Sequence, residues 1–520
     1  MPPSSSPSEV TGRRLVRNTL VNALGNASGA VVTIALTPFL LHHLGPASYG
    51  VWLLALTLTF SNGYLALADL GLSEASVRFI AEARATNDTD TINSIASTTT
   101  AVFGVVGIVV GAAVVGLASA FVHVFDISPD LTHAATLVFI LAALQIVTDL
   151  PATGMLAVIE GAQAYSWLRV IDVGGRLVWA VLVVVAVLQG HGIVALATIA
   201  LGVSLVEAVA AVVVAHHVQP GLQVRVRHAN RPTLKRTFRF GSAIAALRVL
   251  SVVYAQMDRA IVGLVIGVAA VASYEVAYRV QSIAALALII AGSALIPAAA
   301  YNAARSDEER QRELYLRGTK YAVAFILSVT IAGLIYTRPL ILTWVGAQYE
   351  SMTGATRLFL VYPLFGCVNQ VAVPMLIGLG RVRRVIVLQI ISVSLNLAVS
   401  VALAPRYGIA GVIIGTLVGH AVVLIPYNRT FLETFGVGFA QWLREIALPN
   451  VPGPLVQLAV GLATLHWVER FDQFWAVVLV CAGSSALSLA VFARFGMRDT
   501  ERRALARTTF GRVAAEEAPI

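Results

Sequence analysis

The sequence predicts an all-α polytopic membrane protein of about fourteen transmembrane helices. They form two six-helix lobes related by an internal repeat plus a C-terminal helix pair, with N- and C-termini cytoplasmic. Three observations predict this: the composition, the spacing of the apolar runs, and the side on which basic residues fall. Of 520 residues, 58% are hydrophobic and 12% charged, and the mean hydropathy is +0.81. Soluble domains carry about 25% charge, so a soluble globular protein is excluded. A disordered chain needs the opposite balance and is excluded too. A membrane helix uses about 20 mostly apolar residues, so fourteen of them leave no room for a sizeable soluble domain.

Arg13, Arg14 and Arg17 precede the first apolar run, over 18–42. The charges suit a signal peptide, but the run exceeds a typical h-region and more runs follow at once, so it reads as an uncleaved first helix. The others fall at 48–67, 96–123, 132–158, 165–188, 191–216, 239–266, 269–300, 316–337, 355–379, 384–404, 408–430, 449–468 and 473–494. Charged or Gly/Pro-rich breaks bound each one.

The basic residues test this order independently, because cytoplasmic loops collect Lys and Arg. With the N-terminus inside, only Arg338, Arg406 and Arg470 fall outside, and Arg176, Arg248, Arg259, Arg279 and Arg357 lie within spans. The rest of the 36 basic residues fall inside. A missed or invented span would invert the alternation downstream of it, and none is inverted. The net charge of +9 then reads as basic loops facing anionic lipid. No nucleic-acid partner is implied.

LGPASYGVWLLAL (44–56) and VAAVASYEVAYRVQSI (268–283) align on Tyr49 and Tyr274. The offset brings spans 1 and 2 onto spans 7 and 8. This organises the chain as a cytoplasmic tail (1–17), an N-lobe (18–217), a basic cytoplasmic linker (218–238), a C-lobe (239–430), terminal helices (431–494) and a cytoplasmic tail (495–520). Halves repeated with the same topology fit a transporter whose site lies between them.

Much chemistry is absent. The only lysines, Lys235 and Lys320, lack the glycine context of a nucleotide-binding loop. Cys367 and Cys481 both lie in apolar runs, so neither a disulfide framework nor a cysteine zinc site is expected. Asp88-Thr89-Asp90 matches the DxD of metal-using sugar transferases, but just before a span it reads as a helix cap. No metal site and no enzyme activity are expected.

Ionisable groups within spans are expensive and are functional candidates by default. Span 5 carries Asp172 and Arg176, span 7 Arg248, Asp258 and Arg259, and span 8 Glu275 and Arg279. At about 1.5 Å of rise per residue, Arg248, Arg279 and Arg176 lie roughly 12, 15 and 16 Å deep, near the midplane. Arg248 and Arg259 return to nearly the same helix face. The bland reading stands beside this one. Asp172–Arg176 and Glu275–Arg279 are i,i+4 pairs in the favourable order, which can serve as self-neutralised helix glue. Arg248 has no acid at such spacing, which favours a cavity role, and arginine suits bidentate phosphate contact.

Span 2 continues into ALADLGLSEASVRFIAEARA, with Asp69, Gly71, Glu74 and Arg78. Gly71 is expected to break the helix ahead of an amphipathic one. Pro38, Pro151, Pro297, Pro363, Pro374 and Pro426 interrupt other spans and suggest bending lobes. Gly411, Gly415 and Gly419 in span 12, and Gly107 and Gly111 in span 3, read as close helix packing. Asn369, Gln370, Asn396 and His420 read as interhelical hydrogen bonds.

The stretches TPFLLHHLGPASYGVWLLALTLTFSNGYLALADLGLSEASVRFIAE and QMDRAIVGLVIGVAAVASYEVAYRV resemble the Wzx-type O-antigen flippases. These belong to the multidrug/oligosaccharidyl-lipid/polysaccharide exporter superfamily. The resemblance covers about 15–495. It implies a plasma (inner) membrane flippase for a polyprenyl-pyrophosphate-linked oligosaccharide, working by alternating access with H+ or Na+ coupling and no other cofactor. Implied partners are the glycolipid, membrane lipids and other polysaccharide assembly proteins. Carried over, Arg248, Arg279, Arg176 and Arg259 resemble a cationic cavity. Asp69, Arg78, Asp172, Asp258 and Glu275 stand as gating or coupling candidates. The alternatives are a lipid II-type flippase, a drug or organic-cation exporter of the same fold, and a membrane polymerase or ligase. An exporter's cavity would be acidic and aromatic. A polymerase or ligase would need a larger outer loop than 338–354, where Trp344 and Tyr349 read as interface anchors.

Overall fold

Apolar runs of this length must satisfy their backbone polar groups internally, which helices do. In the computed structural model, which describes residues 7–57, 63–69, 71–283 and 307–503, every regular element is helical. The helices are α1 (Pro7–Thr57), α2 (Leu72–Ala85), α3 (Thr89–Val124), α4 (Pro129–Gly161), α5 (Tyr165–Leu188), α6 (Ile193–Val218), α7 (Arg231–Ile261) and α8 (268–283). There follow α9 (Glu308–Trp344), the short α10 (Met352–Phe359), α11 (Tyr362–Gly366) and α12 (Asn369–Gly378), then α13 (Val382–Phe435), α14 (Phe439–Trp442), α15 (Pro452–Val468) and α16 (Phe474–Phe495).

Eleven stretches among the described residues are long and apolar enough to cross a membrane. Ser28–Thr57 holds part of each of the first two expected runs, bent at Gly45 (φ 76°), and Arg383–Phe435 holds the eleventh and twelfth, bent at Gly408 (φ 57°). The eighth run continues past the described residues after 283. The tenth lies within the candidate span Met352–Gly378, which is interrupted into α10, α11 and α12, with Pro363, one of the expected interruptions, opening α11. Proline lacks the N–H to continue a preceding turn.

Not every proline read from the sequence marks a bend. Pro38 and Pro151 sit inside continuous helices, whereas the sharp turns fall at Gly45 and Gly408, with one at Tyr336 just before Pro339. A positive φ turns the chain out of the helix, and glycine adopts it at little steric cost; a proline loses one hydrogen bond and crowds the carbonyl four residues before it, which a helix can absorb as a kink without ending. Pro297 lies outside the described residues.

The described chain packs as two units, one from Met1–Glu275 with Ser400–Val412, the other from Val276–Val399 with Ile413–Ile520. The first unit has two apolar centres. Phe79, Ile80, Ile92, Val158 and Ile159 pack beneath α2, and Leu72, Phe103, Ile146 and Leu150 pack between α3 and α4. Small residues permit the approach. A Cβ on Gly111 would stand 2.7 Å from Val147, and one on Gly154 2.1 Å from the Thr100 hydroxyl. Asp88 caps α3, accepting from the Thr91 N–H at 3.0 Å and its hydroxyl at 2.6 Å. Those bonds hold its carboxyl below the usual range, as the cap reading of DxD expects. The basic segment after α6 is docked along the start of α3. Gln223 N–H donates to Asn93 (2.8 Å), Arg225 N–H to Ser97 (3.1 Å), and Asn230 Nδ2 to Ser94 (2.7 Å).

In the second unit, Tyr315, Met375, Tyr427 and Phe431 centre the core that joins α9, α12 and α13. His420 meets the Tyr362 ring edge-on at 4.7 Å, and a Cβ on Gly419 would stand 2.5 Å from the Ser392 carbonyl. Lys320 on α9 donates to both oxygens of Glu501 at 2.7 and 2.6 Å, and both side chains are buried. Burial pushes the Glu501 carboxyl up, but the bonds from Lys320 and the Arg498 N–H, with the charges of Lys320 and Arg317, outweigh it and hold the group low. A lowered folded-state value means that this stabilisation is present above the ordinary glutamate range and fades as pH falls through the folded value. Glu501→Gln leaves a buried ammonium without its counter-charge, at a cost of about 3 kcal/mol. Its melting temperature in detergent is expected to fall well below wild type at pH 7, and the gap to narrow toward pH 3. An equal gap at both values would count against the pair.

Candidate functional site

Among the described residues of the first unit, three clusters of charged groups stand out. The first sits at the break in span 2. The helix over 46–57 is followed by a 3-10 turn, Tyr64–Asp69, and then by Gly71, in the left-handed region at φ 74°, before α2 begins. Asp69 takes up the freed N–H groups. Its Oδ1 accepts from the Ser73 N–H and hydroxyl, both at 2.9 Å, a carboxylate at a helix N-terminus where the dipole favours it. Its Oδ2 accepts from Arg248 Nη1 at 2.6 Å, and the same nitrogen donates to Glu74 Oε1 at 2.6 Å. The Asp69 side chain is fully buried, whereas Arg248 is 31% exposed and Glu74 40%. Arg248 is therefore clasped by two carboxylates from a segment more than 170 residues away, and the local charge is −1. The clasp depends on a close backbone crossing. A Cβ on Gly71 would lie 2.1 Å from the Gly241 carbonyl oxygen, and one on Gly241 2.3 Å from that of Gly71.

The second cluster is at the far end of α7. Arg259 Nε donates to Glu275 Oε2 at 2.9 Å and its Nη1 to Gln256 at 2.8 Å, while Tyr274 donates to Asp258 at 3.0 Å. Asp258 and Glu275 are buried. The i,i+4 count did not show that Glu275 reaches Arg259. Arg279 belongs to the second unit, where its guanidinium lies 5.9 Å from the Tyr278 ring centre.

The third cluster joins α4, α5 and α6. Arg176 donates to Asp172 at 2.8 Å, Arg169 to the same carboxylate at 3.4 Å, and Gly29 on α1 makes room for the Arg176 guanidinium, 2.5 Å from where a Cβ would stand. Asp172–Arg176 is thus the i,i+4 pair read from the sequence, but it is part of a larger group. Ser204 on α6 donates to Asp149 on α4, and Gly175 on α5 leaves space for the Glu207 carboxylate. Asp149 and Glu207 were missed although each stands inside an apolar run, and that position alone was the signal. Arg78 pairs with Glu82 at 2.9 Å and stacks on Phe240 at 4.4 Å, stitching α2 to α7.

Among the described residues no group of three or more His, Cys, Asp or Glu is placed to hold a metal ion. The comparison with protein families then decides the kinship. The family described as "Polysaccharide biosynthesis protein" matches residues 41–354, more than half of the chain. The chain belongs to the polysaccharide biosynthesis protein family. Its matched stretch contains the Arg248 clasp and the Arg259–Glu275 pair. A Shigella flexneri protein assigned to O-antigen transport is 23% identical over 409 residues, 76% of this chain and 93% of that relative. Among solved structures, the lipid II flippase MurJ in an inward closed conformation superposes with a TM-score of 0.68 at 10% identity, covering 92% of this chain and 99% of its own. An inward-facing multidrug resistance MATE transporter of the MOP superfamily gives 0.65 at 17%, covering 81% and 95%. The family member described here therefore has the MATE and MurJ fold and is a multi-pass membrane protein.

Proposed function

We propose that this chain is a flippase that moves a polyprenyl-pyrophosphate-linked oligosaccharide across the plasma membrane for polysaccharide synthesis, by alternating access, and that it is not an enzyme. One observation carries the reading: the stretch matched to the polysaccharide biosynthesis family holds an arginine set inside a membrane helix and bridging two carboxylates. Moving a diphosphate through hydrocarbon is prohibitive, so the head group needs arginines along a screened path. Asp69 and Glu74 keep Arg248 neutralised in the absence of substrate. The pyrophosphate displaces them, because a guanidinium binds phosphate oxygens in the same bidentate geometry it offers carboxylates. The glycan itself and the other assembly proteins lie beyond this reading.

The coupling ion is proposed to be a proton taken up at Glu207. This half-buried carboxylate, with Asp149 and Asp172 as acidic neighbours, has no hydrogen-bond partner among the described residues. Glu207→Gln is expected to abolish the response of transport to an imposed pH gradient and leave substrate binding within about twofold of wild type, a neutral amide being unable to take part in proton exchange. A variant that still responds to the gradient would remove Glu207 from the coupling.

The function is tested by reconstitution into proteoliposomes with a fluorescent short-chain polyprenyl-pyrophosphate oligosaccharide. Protein-dependent movement between leaflets is expected. Efflux of organic cations without glycolipid movement would overturn the proposal in favour of an exporter.

A further inference from the structure

We infer that the first unit carries a binding site for an anionic glycerophospholipid, in the groove between α3 and the first turns of α7. The groove has a volume of about 400 Å³ and apolar walls, formed by Leu72, Val102, Phe103, Val106, Leu234 and Phe238. It opens beside a lipid-facing surface: Val105 and Val109 on α3 are 63% and 62% exposed. Arg231 and Lys235 line its rim. They are one helical turn apart and so share a face.

Neither side chain makes an ion pair or hydrogen bond with a described residue, and the same holds for the side chains of Arg225 and Arg227 in the preceding loop. That distinguishes them from the other cations at this end of the unit. Arg78 and Arg236 both pair with Glu82, and Arg84 donates to the Val218 carbonyl. Val226, between Arg225 and Arg227, is 84% exposed, an apolar side chain among cations as an interfacial anchor would be. An apolar slot under unpaired cations is complementary to an acyl chain under a phosphate. A soluble anion would leave the walls unused, and a zwitterionic lipid carries no net charge for the cations. Basic pockets between membrane helices hold anionic head groups in this way. Asp69 is among the residues that line the groove, so an occupant sits beside the residue that clasps Arg248.

The test is native mass spectrometry of the full chain released from vesicles of dioleoylphosphatidylcholine and dioleoylphosphatidylglycerol. One phosphatidylglycerol is expected to be retained in preference to phosphatidylcholine. Arg231→Ala with Lys235→Ala should weaken that retention about thirtyfold, the combined effect of two surface cations on an anionic lipid. Val106→Trp, which fills the slot and keeps the charges, should weaken it as well. Arg381→Ala with Arg383→Ala removes the same charge from the second unit and should leave retention unchanged. Equal loss in both double variants, or equal retention of the two lipids by wild type, would overturn the site. So would occupancy by added undecaprenyl phosphate where phosphatidylglycerol does not bind, which would assign the groove to a polyprenyl substrate.

Discussion

Arg248→Ala is expected to destabilise the protein by about 2–3 kcal/mol, and Asp69→Asn on top of it to restore most of the loss. The Asp69 side chain is fully buried and Arg248 is 31% exposed. Removing the cation strands a carboxylate that keeps only its two bonds from Ser73. Breaking a buried pair from one side costs about 3–5 kcal/mol, and the partial exposure of Arg248 reduces that. Asparagine in place of Asp69 has no charge to strand and retains an oxygen for the Ser73 N–H. The double variant should therefore melt within a few degrees of wild type in detergent. A single Arg248→Ala variant as stable as wild type would show that the clasp is not formed in the folded state.

The second large effect concerns the crossing that brings Arg248 within reach. Gly71→Val is expected to prevent accumulation of folded protein, and Gly71→Ala to lower stability by about 3 kcal/mol or more. Two costs combine. The residue sits at φ 74°, where an L side chain pays roughly 1–2 kcal/mol. Its Cβ would also stand 2.1 Å from a backbone carbonyl oxygen of α7, which no rotamer change relieves. Because the contact is mutual, Gly241→Ala should open the same crossing from the other side. The double alanine variant should then cost less than the sum of the singles, since either one alone separates the segments. Additive losses would mean that the two glycines act independently. Melting curves of the three variants decide it.

The spans were legible because hydropathy is a local property, and a helix of about 20 apolar residues has few alternatives in a bilayer. The break at Gly71 was legible for a related reason: a glycine between an apolar run and an amphipathic stretch announces itself. The interruption of 355–379 at Pro363 was legible as well, whereas Pro38 and Pro151 sit in continuous helices, because a proline inside a span is compatible with both a continuous and a broken helix, and packing chooses. The candidate site was legible only as a set of residues. Counting i±4 neighbours left Arg248 without an acid, yet two carboxylates hold it from 179 and 174 positions away. Nor did it show that Glu275 meets Arg259, at 2.9 Å across the turn between two helices. Helical periodicity reports neighbours on one helix and carries no information about which helices meet. Asp149 and Glu207 are a different case. The rule that singled out Asp172 applied equally to them, and their lack of a basic neighbour in sequence made them easy to pass over.

The most direct test is transport of the polyprenyl-pyrophosphate oligosaccharide by a chain in which Arg248 and its buried partner are both replaced but the fold is kept. Arg248→Ala with Asp69→Asn, confirmed as folded by its melting curve, is placed in proteoliposomes beside wild type. The account expects leaflet-to-leaflet movement to fall at least tenfold, because the arginine that receives the diphosphate is gone while the packing around it remains. Movement at the wild-type rate in that variant would contradict it, and would return Arg248 to a purely structural role.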